Sequence, residues 1–273
     1  MADASFSQTG NAEATMLNIR HGLLRTRPLP QLLPFTQLFL FGCHGRRSYG
    51  ESSHKLRQPC PPSSTTKLNY PDAPTAQHSD LASFIAYVRR TGLDEKSTVY
   101  IGTHYEYKVS QSLSKYGFFL KRIGGSSDYG TDLVGTWTLP SSPPSSAAAA
   151  VALRVLVQCK AGSQRVGPQH VRELEGAFVG APAGWRGSGV LGVLVSERAA
   201  TKGVRDSLGR SKWPMMFMCC SRDGTVSQMV WNQCAEELGL DGYAVGVRRG
   251  GDEEGLVLMR DGRMLLPLLR EDG

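Results

Sequence analysis

The chain lacks a metal knuckle and lacks a long apolar run. Its six cysteines (Cys43, Cys60, Cys159, Cys219, Cys220 and Cys234) include no C-x2-C pair, and adjacent Cys219 and Cys220 are poorly spaced to hold one zinc. Four of them fall in apolar stretches that read as strands or a helix, so they are expected to be reduced, buried thiols of an intracellular protein, not a disulfide framework. The most apolar run, Leu29 to Phe41, is broken by Pro30 and Pro34 and falls short of the ~20 residues a spanning helix needs, which excludes stable membrane insertion there. Acidic residues are scarce in one place. Between Leu17 and Cys60 seven basic residues face a single acid, Glu51. The formal charge of +7 is therefore concentrated near the N-terminus, and the remainder from Pro61 onward is close to neutral. A strong general affinity of the folded part for polyanions does not follow from the pI.

The 273 residues suffice for one sizeable domain with extensions. The Arg-rich, acid-poor leader, with Leu and Ile between its arginines and Arg46-Arg47-Ser48-Tyr49 at its end, has the profile of a mitochondrial transit peptide; a disordered basic tail is the other reading. Residues 1–56 are assigned to that leader. Residues 57–79, rich in Pro, Ser and Thr, read as a linker, and 80–273 as the folded domain, with its core over 103–220. A Ser/Pro/Ala insertion occupies 140–150, where loop closure cost grows slowly with length.

Within the domain, Asp80 caps a helix to Arg90 with Gly92 beyond it. Thr98 to Ile101 reads as an apolar lead-in, and Thr103-x-x-Glu106 as the capping box of a second helix with Tyr105, Val109, Leu113 and Tyr116 on its core stripe. Strands are predicted over Phe118–Ile123, Asp132–Leu139, Ala152–Cys159, Gly189–Ser196 and Met215–Cys220. Helices are predicted over Val166–Phe178, Ala199–Gly209 and Val226–Leu238, with a C-terminal β-hairpin from Tyr243 to Leu269. Strands that meet early and then alternate with helices give a mixed three-layer α/β sheet.

Four polar side chains stand out against this apolar framework. Asp132 opens a strand after Gly130, whose bare backbone permits close approach of a phosphate; a turn cap is the simpler use of an Asp there. Gln158 and Lys160 lie two apart on a central strand and share a face, while Cys159 points into the core. They are costly to bury without partners unless the strand is emerging into solvent. Glu106, at N3 of its expected helix, would by itself serve as a cap.

In order, helix-Glu, strand, Gly130-x-Asp132-Leu133-Val134, Val157-Gln158-Cys159-Lys160 and helix resemble the PD-(D/E)xK nuclease superfamily. The closest branch is similar to Mrr-type restriction endonucleases, in which Gln replaces the acid before the Lys. With the basic leader, the chain is also similar to the fungal mitochondrial "required for respiratory growth" protein seven family. The resemblance implies a restriction-endonuclease-like fold and a metal-dependent nuclease in the mitochondrial matrix that acts on DNA, with RNA left open, in support of genome maintenance and respiratory growth. The alternative is an inactive nuclease fold that binds nucleic acid or a protein partner. By the same resemblance Asp132 is the principal ligand of Mg²⁺ or Mn²⁺, joined by the Gln158 side-chain oxygen and the Cys159 backbone carbonyl. Lys160 orients the attacking water or stabilises phosphorane charge, and Glu106 holds a metal-bound water or a second metal. Two departures are visible: an amide is a weaker ligand than a carboxylate, and the 140–150 insertion lengthens a hairpin.

Overall fold

A computed structural model describes residues 68–124, 130–139, 152–162, 165–248 and 255–265. The leader, the start of the linker, the 140–150 insertion and the last strand's expected end at Leu269 lie outside these residues. Every described residue belongs to one compact unit, Pro62–Gly273.

The elements run α1 (Leu81–Thr91), α2 (Thr98–Leu113), β1 (Phe118–Arg122), β2 (Leu133–Thr138), β3 (Ala152–Lys160), α3 (Pro168–Gly180), β4 (Val190–Ser196), α4 (Lys202–Arg210), β5 (Met215–Cys220), β6 (Val226–Trp231), β7 (Tyr243–Arg248), β8 (Gly255–Arg260) and β9 (Arg263–Met264). Strands β1 to β6 form one sheet in chain order. β1, β2 and β3 pair antiparallel, β3, β4 and β5 parallel, and β6 antiparallel to β5. β7, β8 and β9 form a second, antiparallel meander. The expected mixed α/β sheet is present.

Two cores cover its faces. On one, Tyr105, Val109 and Leu113 of α2 pack with Val155, Val157, Val193 and Met218, and Leu258 of β8 joins them. On the other, Val171, Leu174 and Phe178 of α3 and Val204 and Leu208 of α4 pack on Val134, Leu156, Leu194 and Phe217. Strands β3 to β5 are thus apolar on both sides, which is why they appear in the sequence as continuous hydrophobic runs. Leu68 and Tyr70 also lie against the second core, so part of the stretch read as linker is packed: the Tyr70 ring sits 5.3 Å from Trp185 and 4.6 Å from the Lys121 ammonium.

Two expected elements are corrected. The second helix does not start at Thr103. Its N-cap is Ser97, whose hydroxyl accepts the Tyr100 N–H at 3.1 Å, and Thr98 to Ile101 is its first turn. The β-branched Thr98, Val99 and Ile101 disguise that turn, because tertiary packing overrides weak helix propensity. Glu106 therefore stands mid-helix and is not the N3 residue of a capping box. The expected helix over Val226–Leu238 is instead strand β6, a short helical turn at Gln233–Ala235 and a π-turn at Glu236–Leu240. The reason is a bulge. Cys219 pairs with Gln228 but Cys220 with Val226, which leaves Ser227 as an extra residue. Val226 and Met229 thereby reach the same core at a three-residue spacing that imitates a helix.

Candidate functional site

The register brings one end of the sheet together. Arg122 ends β1 opposite Leu133, Leu133 lies opposite Val157, and Lys160 ends β3 beside Ser196 of β4. This is the carboxyl end of the parallel strands, where open α/β sheets commonly hold their ligands.

Asp132 is anchored there by its main chain and by its side chain. Its N–H donates to the Val157 carbonyl, and its carbonyl accepts from Ile123 and Gly124, each at 2.9 Å. Its Oδ2 accepts the Cys159 N–H at 2.6 Å. The carboxylate therefore lies against the backbone of β3 between Gln158 and Lys160. Bare backbone flanks it. Gly130 has φ +78°, and a Cβ at Gly124 would sit 3.3 Å from Oδ1 of Asp132.

Gln158 is 5% exposed, and its Oε1 has no hydrogen-bond partner. The hydroxyl of Thr131, next to Asp132, is buried in the same condition. An orphaned buried acceptor beside a fixed carboxylate is an oxygen-rich setting in want of a donor or a cation. The Cys159 sulfur packs on the first core. Burial first, then the charges of Asp132 and Glu106, push its thiol well above the usual range, and Lys160 opposes them weakly. The thiol of Cys220 is pushed up to about 11, chiefly by burial. Neither is a thiolate at neutral pH, and the four described cysteines are free thiols. The charges of Asp132, Glu106 and Lys160 are thus all felt at this one sulfur.

The side chains of Glu106 and Lys160 are engaged with other charges. Glu106 accepts from Nε of Arg122 in an ion pair whose side chains are 12% and 13% exposed. Arg122 also reaches the Thr103 hydroxyl at 3.4 Å and lies over the Tyr107 ring. The Lys160 ammonium donates to Glu173 of α3 at 2.9 Å. Beyond Lys160, Glu197 accepts the Gly162 N–H at 2.8 Å and pairs with Arg222 at 3.3 Å, which ties the loop after β3 to the β5–β6 turn. Arg122, Glu173 and Glu197 are the residues that sequence reasoning missed in this role. No local pattern marks either Arg122 or Glu173; the pairing of β1 with β2 brings the first to the site and the crossover of α3 over β3 brings the second.

Among the described residues no group of three or more His, Cys, Asp and Glu side chains is placed to hold a metal ion. The donors that could do so are the Asp132 carboxylate, the Gln158 amide oxygen and the Cys159 carbonyl. Such an all-oxygen set suits a hard, partly hydrated cation, not zinc.

These features define a mixed α/β-sheet protein with a carboxylate, an amide and an amine gathered at the carboxyl end of its parallel strands. The profile of the family "Required for respiratory growth protein 7" matches residues 97–152 and 143–246, more than half of the chain. The chain belongs to this family. The match opens at the N-cap of α2 and closes in β7, so it contains the whole six-stranded sheet. Over 163 residues the chain is 31% identical to an uncharacterised mitochondrial protein of Schizosaccharomyces pombe, covering 58% of this chain and 61% of that one. Over 119 residues it is 34% identical to the mitochondrial Required for respiratory growth protein 7 of Vanderwaltozyma polyspora, covering 31% and 48%. The chain thus spans between about half and three-fifths of these relatives' lengths. It is a mitochondrial protein, as the leader led one to expect. Among the described residues no helix is long and apolar enough to cross a membrane. No solved structure matches the chain.

Proposed function

We propose that the chain is a restriction-endonuclease-like, metal-dependent phosphodiesterase of the mitochondrial matrix that acts on DNA and so supports genome maintenance and respiratory growth. The observation that carries this reading is the Asp132 carboxylate held on the Cys159 amide beside the partnerless Gln158 Oε1, with Lys160 next on the same strand face. A bound Mg²⁺ or Mn²⁺ would polarise a phosphate and make a bound water more acidic. Asp132, the Gln158 oxygen and the Cys159 carbonyl would hold it. Lys160, once turned from Glu173, would place its ammonium on the attacking water or on a phosphate oxygen and stabilise the charge that develops there. Glu106, freed from Arg122, would accept a hydrogen bond from that water and orient it.

The Glu106–Arg122 and Lys160–Glu173 pairs favour a second reading. In it the fold is kept for binding nucleic acid or a partner, and the charged groups only balance one another. A plasmid-nicking assay with Mg²⁺ or Mn²⁺ separates the two. The enzyme reading expects nicking by the full chain that is lost in Lys160→Ala, with calorimetric Mn²⁺ binding that is lost in Asp132→Ala. Nicking that survives Lys160→Ala, or wild-type protein that neither nicks nor binds Mn²⁺, selects the second reading.

A further inference from the structure

Outside the candidate site, the start of α2 and the β5–β6 turn enclose a half-open cleft of about 310 Å³. Its walls carry Tyr100, His104, the cations Lys96 and Arg222 and one acid, Glu95, with Tyr105 at its base. The Tyr100 and His104 rings, one helical turn apart, stack at 5.6 Å with 24° between their planes. Tyr100 is backed in turn by Phe84, whose ring centroid lies 5.7 Å away. Arg222 is 60% exposed at the rim while Glu197 steadies one of its nitrogens. Burial first, and then the neighbouring Lys108 and Arg222, hold the His104 imidazole below its ordinary range, so it is a neutral ring at matrix pH. Flat neutral rings flanked by cations form the stacking platform that takes bases of single-stranded nucleic acid.

The cleft is coupled to the candidate site by covalent and polar links. Tyr105 precedes Glu106, and its hydroxyl donates to the Cys220 carbonyl at 2.7 Å. Glu197 joins Arg222 to Gly162, two residues beyond Lys160.

We propose that this cleft receives one unpaired nucleobase of the strand bound at the Asp132 end of the sheet, stacked on the Tyr100–His104 pair, with Arg222 on its phosphate. The inference rests on the nucleic-acid reading given above. It makes the preferred substrate a single-stranded or splayed segment, because a base inside a duplex cannot enter a cleft of this kind.

The test uses the full chain and single-stranded DNA oligonucleotides that carry a fluorescent purine analogue at successive positions, in buffer without divalent metal. Wild-type protein should quench the analogue at one position. His104→Ala and Tyr100→Leu, which keeps an apolar contact with Phe84, should abolish that quench and weaken binding roughly 5- to 100-fold, the range expected for one lost base stack. Arg222→Gln should weaken binding and steepen nothing in the quench profile. Wild-type binding with affinity and quench unchanged in all three variants overturns the cleft while leaving the nucleic-acid reading standing. Wild-type protein that binds no oligonucleotide removes both. A melting curve for His104→Ala, a partly buried residue, should keep a single cooperative transition and guards against loss of fold.

Discussion

The ion pair between Glu106 and Arg122 gives the sharpest test of how the site is built. Both side chains are about seven-eighths buried, so the pair lies far from the solvated limit at which surface bridges contribute almost nothing. Arg122→Met keeps an apolar stem over the Tyr107 ring but removes the guanidinium. It leaves the Glu106 carboxylate without its countercharge and the Thr103 hydroxyl without its donor. Removing one partner of a fully buried pair costs about 3–5 kcal/mol; discounted for the water that still reaches this one, the cost is about 2 kcal/mol. For a domain of this size that lowers Tm by roughly 4–8 °C. The measurement is thermal unfolding of wild type and variant in EDTA.

The same variant probes function. If Glu106 serves a metal, loss of the neighbouring positive charge should favour a cation at the site by on the order of 1–2 kcal/mol, or about ten-fold in affinity. Mg²⁺ should then raise the Tm of Arg122→Met by more than it raises that of wild type. A double-mutant cycle with Glu106→Gln isolates the pair itself. An unchanged Tm in EDTA refutes the energetic argument. A lowered Tm with no larger response to Mg²⁺ refutes the placement of Glu106 at a metal.

Three further outcomes follow from the packing. Gly135→Ala should cost about 3 kcal/mol or more, because its Cβ would lie 1.8 Å from the Phe119 carbonyl oxygen of β1, and backbone cannot turn aside as a side chain can; a chemical denaturation curve with an unchanged midpoint counts against the β1–β2 register. Tyr105→Phe deletes the buried hydroxyl that donates to Cys220 and should cost about 1–3 kcal/mol, read in the same assay; no loss would mean the contact does not tie α2 to β5. The imidazoles of His78 and His104 are both held below their ordinary value of 6.5, first by burial and then by cations, Arg122 for His78 and Lys108 with Arg222 for His104. Between the lowered folded value and 6.5 the unfolded chain binds more protons, so stability should be flat above about pH 7 and fall as the solution is acidified through 6.5; a denaturation midpoint that rises on acidification has the wrong sign for this account.

What could be read from the chain, and what could not, follows from how local each signal is. The caps of α1 at Asp80 and Gly92 and the doubly buried strands β3 to β5 are local patterns, and they sit within a residue or two of where the sequence puts them. Strand β6 is misread because one extra residue opposite Cys219 and Cys220 changes the apparent period from two to three. The start of α2 is misread because β-branched residues in a first turn resemble a strand. At the site, the Gln158–Cys159–Lys160 order and the approach of Asp132 to them are legible, since strand alternation and a single hairpin suffice. The partners of Glu106 and Lys160 are not, because Arg122 and Glu173 reach them only through pairing of β1 with β2 and the crossover of α3.

Those two partnerships differ in weight, and the difference decides where a catalytic claim is most exposed. The Lys160 and Glu173 side chains are 32% and 47% exposed, so their bridge contributes less than about 1 kcal/mol and the amine can turn to a phosphate at little cost. Glu106 would give up about 2 kcal/mol to leave Arg122, by the reasoning above. A metal-bound water must therefore offer Glu106 more than Arg122 does, whereas Lys160 needs only the substrate. Glu106→Gln keeps the shape and removes the charge. If nicking falls by about 100-fold or more, in the range of a lost general base, Glu106 does act on the water. If nicking persists while Tm falls, Glu106 exists to neutralise Arg122, and the working group reduces to Asp132, Gln158 and Lys160.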